Sequence, residues 1–185
     1  MPQSNGSNGV FWYSYNYATT HIIVLSSEHD LTPLSDQFQW LAQDLMQVDR
    51  SITPWVIVET HRPLYNSYDL PAQNEVGIHM RESLEDLFFL HGVDMVLAGH
   101  YHSYLRTCTG LYKSQCNYDG TSIVHITVGT AGYVLSESEV YESEWTEAHV
   151  KTWGYGKVTV YGSDSLHWQF ISDEELIQDE VWLYK

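Results

Sequence analysis

The sequence predicts an α/β fold: parallel strand–helix–strand units over residues 1–104, then a β-rich, antiparallel part over residues 105–185. Two observations carry this. Between residues 21 and 102, β-branched runs alternate with stretches of three-and-four apolar spacing, as crossover helices between parallel strands require. Beyond residue 120 that spacing stops, and strand-like runs follow one another across turn residues. Hydrophobic residues make up 43% of the 185 positions, enough to form a core. No apolar run approaches the roughly 18 residues of a spanning helix.

Residues 1–9 are polar and rich in Gly and Asn, which reads as a loop or frayed terminus. His21 to Ser27 (His-Ile-Ile-Val-Leu-Ser-Ser) is a buried strand. Ser35 is placed to cap a helix, with Asp36 in its first turn and Phe38, Leu41, Leu45 and Val48 on its apolar side. Pro54 to Thr60 is the next strand and runs into His61. Residues 62–77 contain Pro, Asn, Ser and Gly and read as a long loop. Ile78 to His91 is a second helix, with Ile78, Leu84, Leu87 and Phe88 on one side and Gly92 as its stop. Asp94 to Gly99 is a third strand that leads into His100-Tyr-His102. Ile123–Gly129, Lys157–Tyr161 and Leu166–Ile171 are further strands, the last two flanking a Gly162-Ser-Asp-Ser hairpin turn. Residues 136–147 and 173–180 are acidic and read as solvated loops.

The charge is lopsided, with 8 Lys and Arg against 24 Asp and Glu, a net of -16 with neutral His. Such a surface repels phosphate backbones and anionic headgroups, which argues against nucleic-acid and membrane-surface partners. Cys108 and Cys116 flank a polar loop able to close, so a disulfide is favoured over two free thiols. Asn5-Gly6-Ser7 is a glycosylation sequon. The opening residues have neither a basic segment nor an apolar core, so no signal peptide is read in them.

Ligands of open α/β sheets gather beyond the carboxyl ends of the strands, and two consecutive strand ends here carry histidine. His61 closes one; His100 and His102 close the next, after Gly99. Continued extended backbone would turn His100 and His102 to one side. Imidazole is a common ligand for Zn, Fe, Cu and Ni, so His61, His100 and His102 are the candidate metal ligands. Ten histidines in one chain also produce accidental pairs, and a structural role for each remains the competing reading. His-Glu-x-x-His, Gly-x-Ser-x-Gly and the phosphate-binding Gly-Lys-Ser/Thr loop are all absent.

Val58-Glu-Thr-His-Arg-Pro-Leu-Tyr-Asn-Ser67 and Val93-Asp-Met-Val-Leu-Ala-Gly-His-Tyr-His-Ser-Tyr104 resemble the last two metal motifs of the purple acid phosphatases, which are calcineurin-like metallophosphoesterases. Phe11–Tyr15, Ser26–His29, Ile126–Gly132 and Gly154–Val158 are similar to that family as well. The resemblance implies an α/β/β/α sandwich and hydrolysis of phosphate monoesters at a dinuclear centre of Fe(III) with Zn, Fe or Mn. It implies that His61 and His100 bind the divalent ion and His102 the ferric ion. It also implies a secreted, extracellular or vacuolar-type full-length protein.

The family's other ligands sit in Asp-x-Gly, Gly-Asp-x-x-Tyr and Gly-Asn-His motifs, none of which occurs in these residues. The chain is therefore expected to be the C-terminal half of a larger catalytic domain, holding three ligands of an incomplete centre. An inactive fragment, or a non-enzymatic binding module derived from the fold, is the alternative. Leu105 replaces the family's usual Glu beside Arg106, so Arg106 is expected to lack an acidic partner. The family's paired proton-donor histidines correspond to Leu70 and Pro71, His79 reads as a surface helix residue, and no catalytic acid is assigned. His21, His125 and His167 read as structural strand residues, and His29 lies in a turn.

Overall fold

The computed structural model describes residues 7–67, 71–117, 123–136 and 143–185. Its elements are β1 (Tyr13–Tyr17), β2 (Thr20–Val24), α1 (Asp36–Gln47), β3 (Trp55–Thr60), α2 (Pro71–Leu90), β4 (Met95–Ala98), β5 (Tyr104–Thr107), β6 (Leu111–Tyr112), β7 (Gln115–Cys116), β8 (Val124–Val128), β9 (Thr146–Val150), β10 (Gly154–Tyr161), β11 (Ser165–Ser172) and β12 (Ile177–Tyr184). A seven-stranded sheet runs β1-β2-β3-β4-β8-β5-β9. Strands β2, β3, β4 and β8 are mutually parallel; β1, β5 and β9 pair antiparallel at its flanks. A three-stranded antiparallel sheet, β10-β11-β12, forms the second layer.

Strand alternation divides the core in two. Val56, Val58 and Val96 pack with Leu41 and Leu45 of α1 and Leu84 and Phe88 of α2. Trp55, Ile57, Met95, Val124 and Ile126 face the other way and pack with Leu166, Trp168, Phe170 and Leu183 of the second sheet. The layers are helices, mixed sheet and antiparallel sheet. The mixed α/β architecture and the antiparallel C-terminal strands expected from the sequence are present. No described helix is long and apolar enough to cross a membrane.

Ser35 caps α1 as expected, its Oγ accepting from the Phe38 N–H at 3.2 Å. Gly92 ends α2 with a φ of 61°, and Arg50 donates from Nη2 to the carbonyls of His91 and Gly92, both at 2.6 Å. Four expectations need correction. The long loop expected over 62–77 is cut short by α2, which begins at Pro71, a residue whose fixed φ suits a first helical position. Gly77 lies inside that helix, and glycine is required there because a Cβ would stand 2.8 Å from the Pro63 carbonyl oxygen. Ile78 is exposed, while Leu84 and Phe88 are buried. The acidic stretch 173–180 is a loop only to residue 176; Ile177 opens β12. Of the acidic stretch 136–147, residues 137–142 lie outside the described residues, and Thr146–Val150 forms β9.

Cys108 and Cys116 are joined in a disulfide, the favoured alternative. It closes the β6–β7 hairpin, which docks on α2 through buried Glu85: the Lys113 N–H donates to Glu85 Oε1 at 3.0 Å, and the Tyr65 hydroxyl donates to the same oxygen.

His125 on β8 is structural, as expected, but it is placed without polar partners. It is 3% exposed, neither ring nitrogen makes a hydrogen bond, and the Tyr65 ring stands edge-on at 4.9 Å. Burial, and secondarily the Arg81 charge, pushes its imidazole down to about 3. The unfolded chain binds the proton near pH 6.5. The stability from a neutral buried His125 is thus fully present above that value and is lost as the pH falls toward 3. We expect acidification from pH 7 to 4.5 to lower the unfolding free energy by about 3 kcal/mol through this residue. Urea unfolding of wild type and His125→Leu at both pH values checks this. The variant should be flatter by that amount, and parallel pH profiles would refute it.

Candidate metal-binding histidine pair

Three neighbouring parallel strands end at one edge of the large sheet. Beyond β2 come Ser26, Ser27, Glu28 and His29; beyond β3, His61 and Arg62; beyond β4, Gly99 and His100. This is where an open α/β sheet collects ligand groups. The Gly99 N–H donates to the His61 carbonyl at 3.1 Å, extending the β3–β4 pairing to the histidines themselves.

His61 Nε2 and His100 Nδ1 face each other at 3.1 Å, with ring centroids 5.0 Å apart and planes at 81°. The left-handed residue of the turn is His100 itself, with a φ of 65°, while Gly99 has ordinary backbone. Extended alternation therefore stops at His100, and His102 does not join the pair. The His102 ring instead packs edge-on against Tyr133 at 5.2 Å, and its N–H donates to Ser136 Oγ at 3.0 Å. The turn rests on β8 through the Gly129 N–H, which donates to the Ser103 carbonyl at 3.2 Å.

Reading the histidines missed the residues around them. Arg62 Nη1 lies 3.3 Å from His100 Nε2, Arg62 Nε donates to Glu28 Oε1 at 2.6 Å, and the Arg62 N–H donates to Ser27 Oγ at 3.1 Å. Arg62 directly follows His61, which was the signal available. The Arg62 hydrogen bond holds the Glu28 carboxyl below its usual range. Burial, then the Arg62 charge, pushes the His100 imidazole down. The neutral ring with an available lone pair is the form a metal requires. His29 pairs with Ser26 Oγ at 2.8 Å and packs on Phe11. His79 is exposed on α2, 3.6 Å from Glu82.

Two imidazole nitrogens bound to one ion at about 2.0–2.1 Å lie roughly 3.0–3.4 Å apart, depending on the coordination angle. The 3.1 Å separation of His61 and His100 fits that edge. Among the described residues, no three His, Cys, Asp or Glu side chains gather to complete such a site.

Residues 5–104 match the calcineurin-like phosphoesterase family model, and residues 122–180 match the model described as iron/zinc purple acid phosphatase-like protein C. The chain belongs to the purple acid phosphatases, within the calcineurin-like phosphoesterases. Purple acid phosphatase 18 of Arabidopsis thaliana is 36% identical over 99% of this chain and 42% of the relative. Probable inactive purple acid phosphatase 27 of the same plant is 33% identical over 86% of this chain and 28% of the relative. The structure of purple acid phosphatase PPD1 from yellow lupin (Lupinus luteus) seeds superposes with a TM-score of 0.85 at 26% identity, covering 94% of this chain and 32% of that one. The chain thus spans less than half the length of these relatives.

Arg106 departs from what its neighbour in sequence implied. Arg106 was expected to lack an acidic partner, yet it has one: Nε and Nη2 donate to Asp179 Oδ2 and Oδ1 at 2.6 and 2.9 Å. Asp179 arrives from β12, 73 positions away, and its Oδ2 also accepts from the Tyr104 hydroxyl at 2.5 Å.

Proposed function

We propose that this chain is the histidine-bearing part of an acid phosphatase that hydrolyses phosphate monoesters. The observation that carries the reading is the His61–His100 pair, spaced as two ligands of one ion beyond adjacent parallel strands. In this reading His61 and His100 hold a divalent ion, Zn, Fe or Mn, and His102, whose ring stands apart, serves a ferric ion. Such a pair of ions, when bound, polarises the phosphoryl group and supplies the nucleophile. Three neutral imidazoles offset none of the charge of two ions, so the remaining ligands, a bridging carboxylate among them, come from a segment outside these 185 residues. That segment lies in the same chain or in another. Arg62 places positive charge at this edge of a protein that is otherwise strongly acidic. The disulfide fits an oxidising, extracellular or vacuolar setting.

The protein as it occurs in its source should hydrolyse p-nitrophenyl phosphate, and His61→Ala or His100→Ala should lower turnover by about 100-fold. A metal-loaded protein whose wild type and variants turn over equally would overturn this assignment. The second reading is a non-catalytic binding module, favoured by the absence of a third converging ligand among the described residues. It requires a folded protein that binds metal and shows no turnover at all.

A further inference from the structure

Both ring nitrogens of His100 are engaged, Nδ1 by His61 and Nε2 by Arg62. A guanidinium only donates. His100 Nε2 must then present its lone pair to Arg62 Nη1, and the proton of the neutral ring lies on Nδ1, aimed at His61 Nε2. A metal ion needs a ring lone pair. If it takes Nδ1, the proton must transfer to Nε2, where it would face an Arg62 N–H. If it takes Nε2, Arg62 already fills the place. Either way, loading breaks the Arg62 contact. The Arg62 guanidinium is tethered against leaving by Glu28 at Nε, while Ser27 fixes only its backbone N–H.

We propose that Arg62 is a positioning residue that locks His100 in the Nδ1–H tautomer and must swing aside for a metal ion to load on the His61–His100 pair. The lock rests on reading that pair as a metal site. Its removal takes away both the tautomer constraint and a cation beside an incoming cation. Substitution should therefore strengthen metal binding, the reverse of the loss that follows removal of an ordinary supporting residue.

The test uses the full chain in its metal-free form, with Zn²⁺ alone as the probe. Imidazole ¹⁵N correlation spectra should show His100 as the Nδ1–H tautomer in wild type and Arg62→Lys, and should show Nε2–H gained in Arg62→Ala. Calorimetric titration should give Zn²⁺ binding about 10-fold tighter for Arg62→Ala, with Arg62→Lys within about 2-fold of wild type. Arg62→Met, which keeps the aliphatic stem, should repeat the Arg62→Ala result, and His100→Ala should abolish binding. A wild-type His100 already in the Nε2–H form would overturn the lock, as would unchanged or weaker Zn²⁺ binding by Arg62→Ala and Arg62→Met. Zn²⁺ binding by neither wild type nor variants, with the tautomers as stated, would overturn the metal-site reading instead.

Discussion

Asp179→Ala is expected to lower the free energy of unfolding by about 3–5 kcal/mol, the range for removing one partner of a buried ion pair. Asp179 and Arg106 side chains are each 11% exposed and meet through two hydrogen bonds. The same carboxylate accepts from Tyr104, whose hydroxyl in turn accepts from Trp168 Nε1 at 3.0 Å. Burial, and then the Asp179 charge, raises the Tyr104 phenol, so it remains a donor throughout the working pH range. Truncation leaves a guanidinium and a phenol without their acceptor in the layer between the two sheets. Replacing Arg106 and Asp179 together by Leu should recover part of the loss, because no charge is then left unpaired. Urea unfolding of wild type and the two variants measures this. A loss below about 1 kcal/mol for Asp179→Ala would mean that the network is solvated and weak.

Gly129→Ala is expected to cost about 3 kcal/mol and to disperse the histidine pair. A Cβ at this position would stand 2.0 Å from the Tyr101 carbonyl oxygen and 2.8 Å from its carbon. Both are backbone atoms, so no rotamer change relieves the clash. Tyr101 follows His100, and any retreat of its peptide moves the left-handed turn that aims the imidazole. Zn²⁺ binding should weaken about 10-fold or more along with the melting temperature. Gly99→Ala is the control. Gly99 sits beside the histidine motif, yet its added Cβ would meet only the His61 carbonyl oxygen at 3.9 Å, and its effect should stay within about 0.5 kcal/mol. A Gly129→Ala protein with wild-type melting and Zn²⁺ affinity would refute the close-packing argument.

The central parallel strands were legible because β3 and β4 are buried on both faces and read as unbroken apolar runs. Helix α1 was legible through its Ser35 cap and apolar spacing. The first turns of α2 were not, because Pro71 and Gly77 are loop formers by propensity; Pro is helix-compatible only at a start, and Gly77 is accommodated because the Pro63 carbonyl leaves no room for a Cβ. Strand β12 was hidden by Asp179 and Glu180, since composition cannot reveal that one carboxylate points inward to Arg106. At the site, His61 and His100 were readable as the ends of adjacent strands. The separation of His102 was not, because it follows from one positive φ at His100. The Arg62 and Glu28 contacts depend on three separate strand ends meeting, which no local window of sequence contains.

The stitching of the antiparallel layer onto the parallel one has a kinetic consequence. Arg106 reaches Asp179 across 73 positions, Lys185 reaches buried Asp94 across 91, and Trp55 Nε1 donates to the Gly162 carbonyl across 107. Contacts that distant are reached only after large loops have closed, so they slow the search for the native state. The strand–helix–strand portion meets its own helices early. It must then hold Trp55, Ile57, Met95 and Ile126 uncovered until β11 and β12 arrive. The interval before that arrival is when this chain is most prone to aggregate during synthesis or refolding.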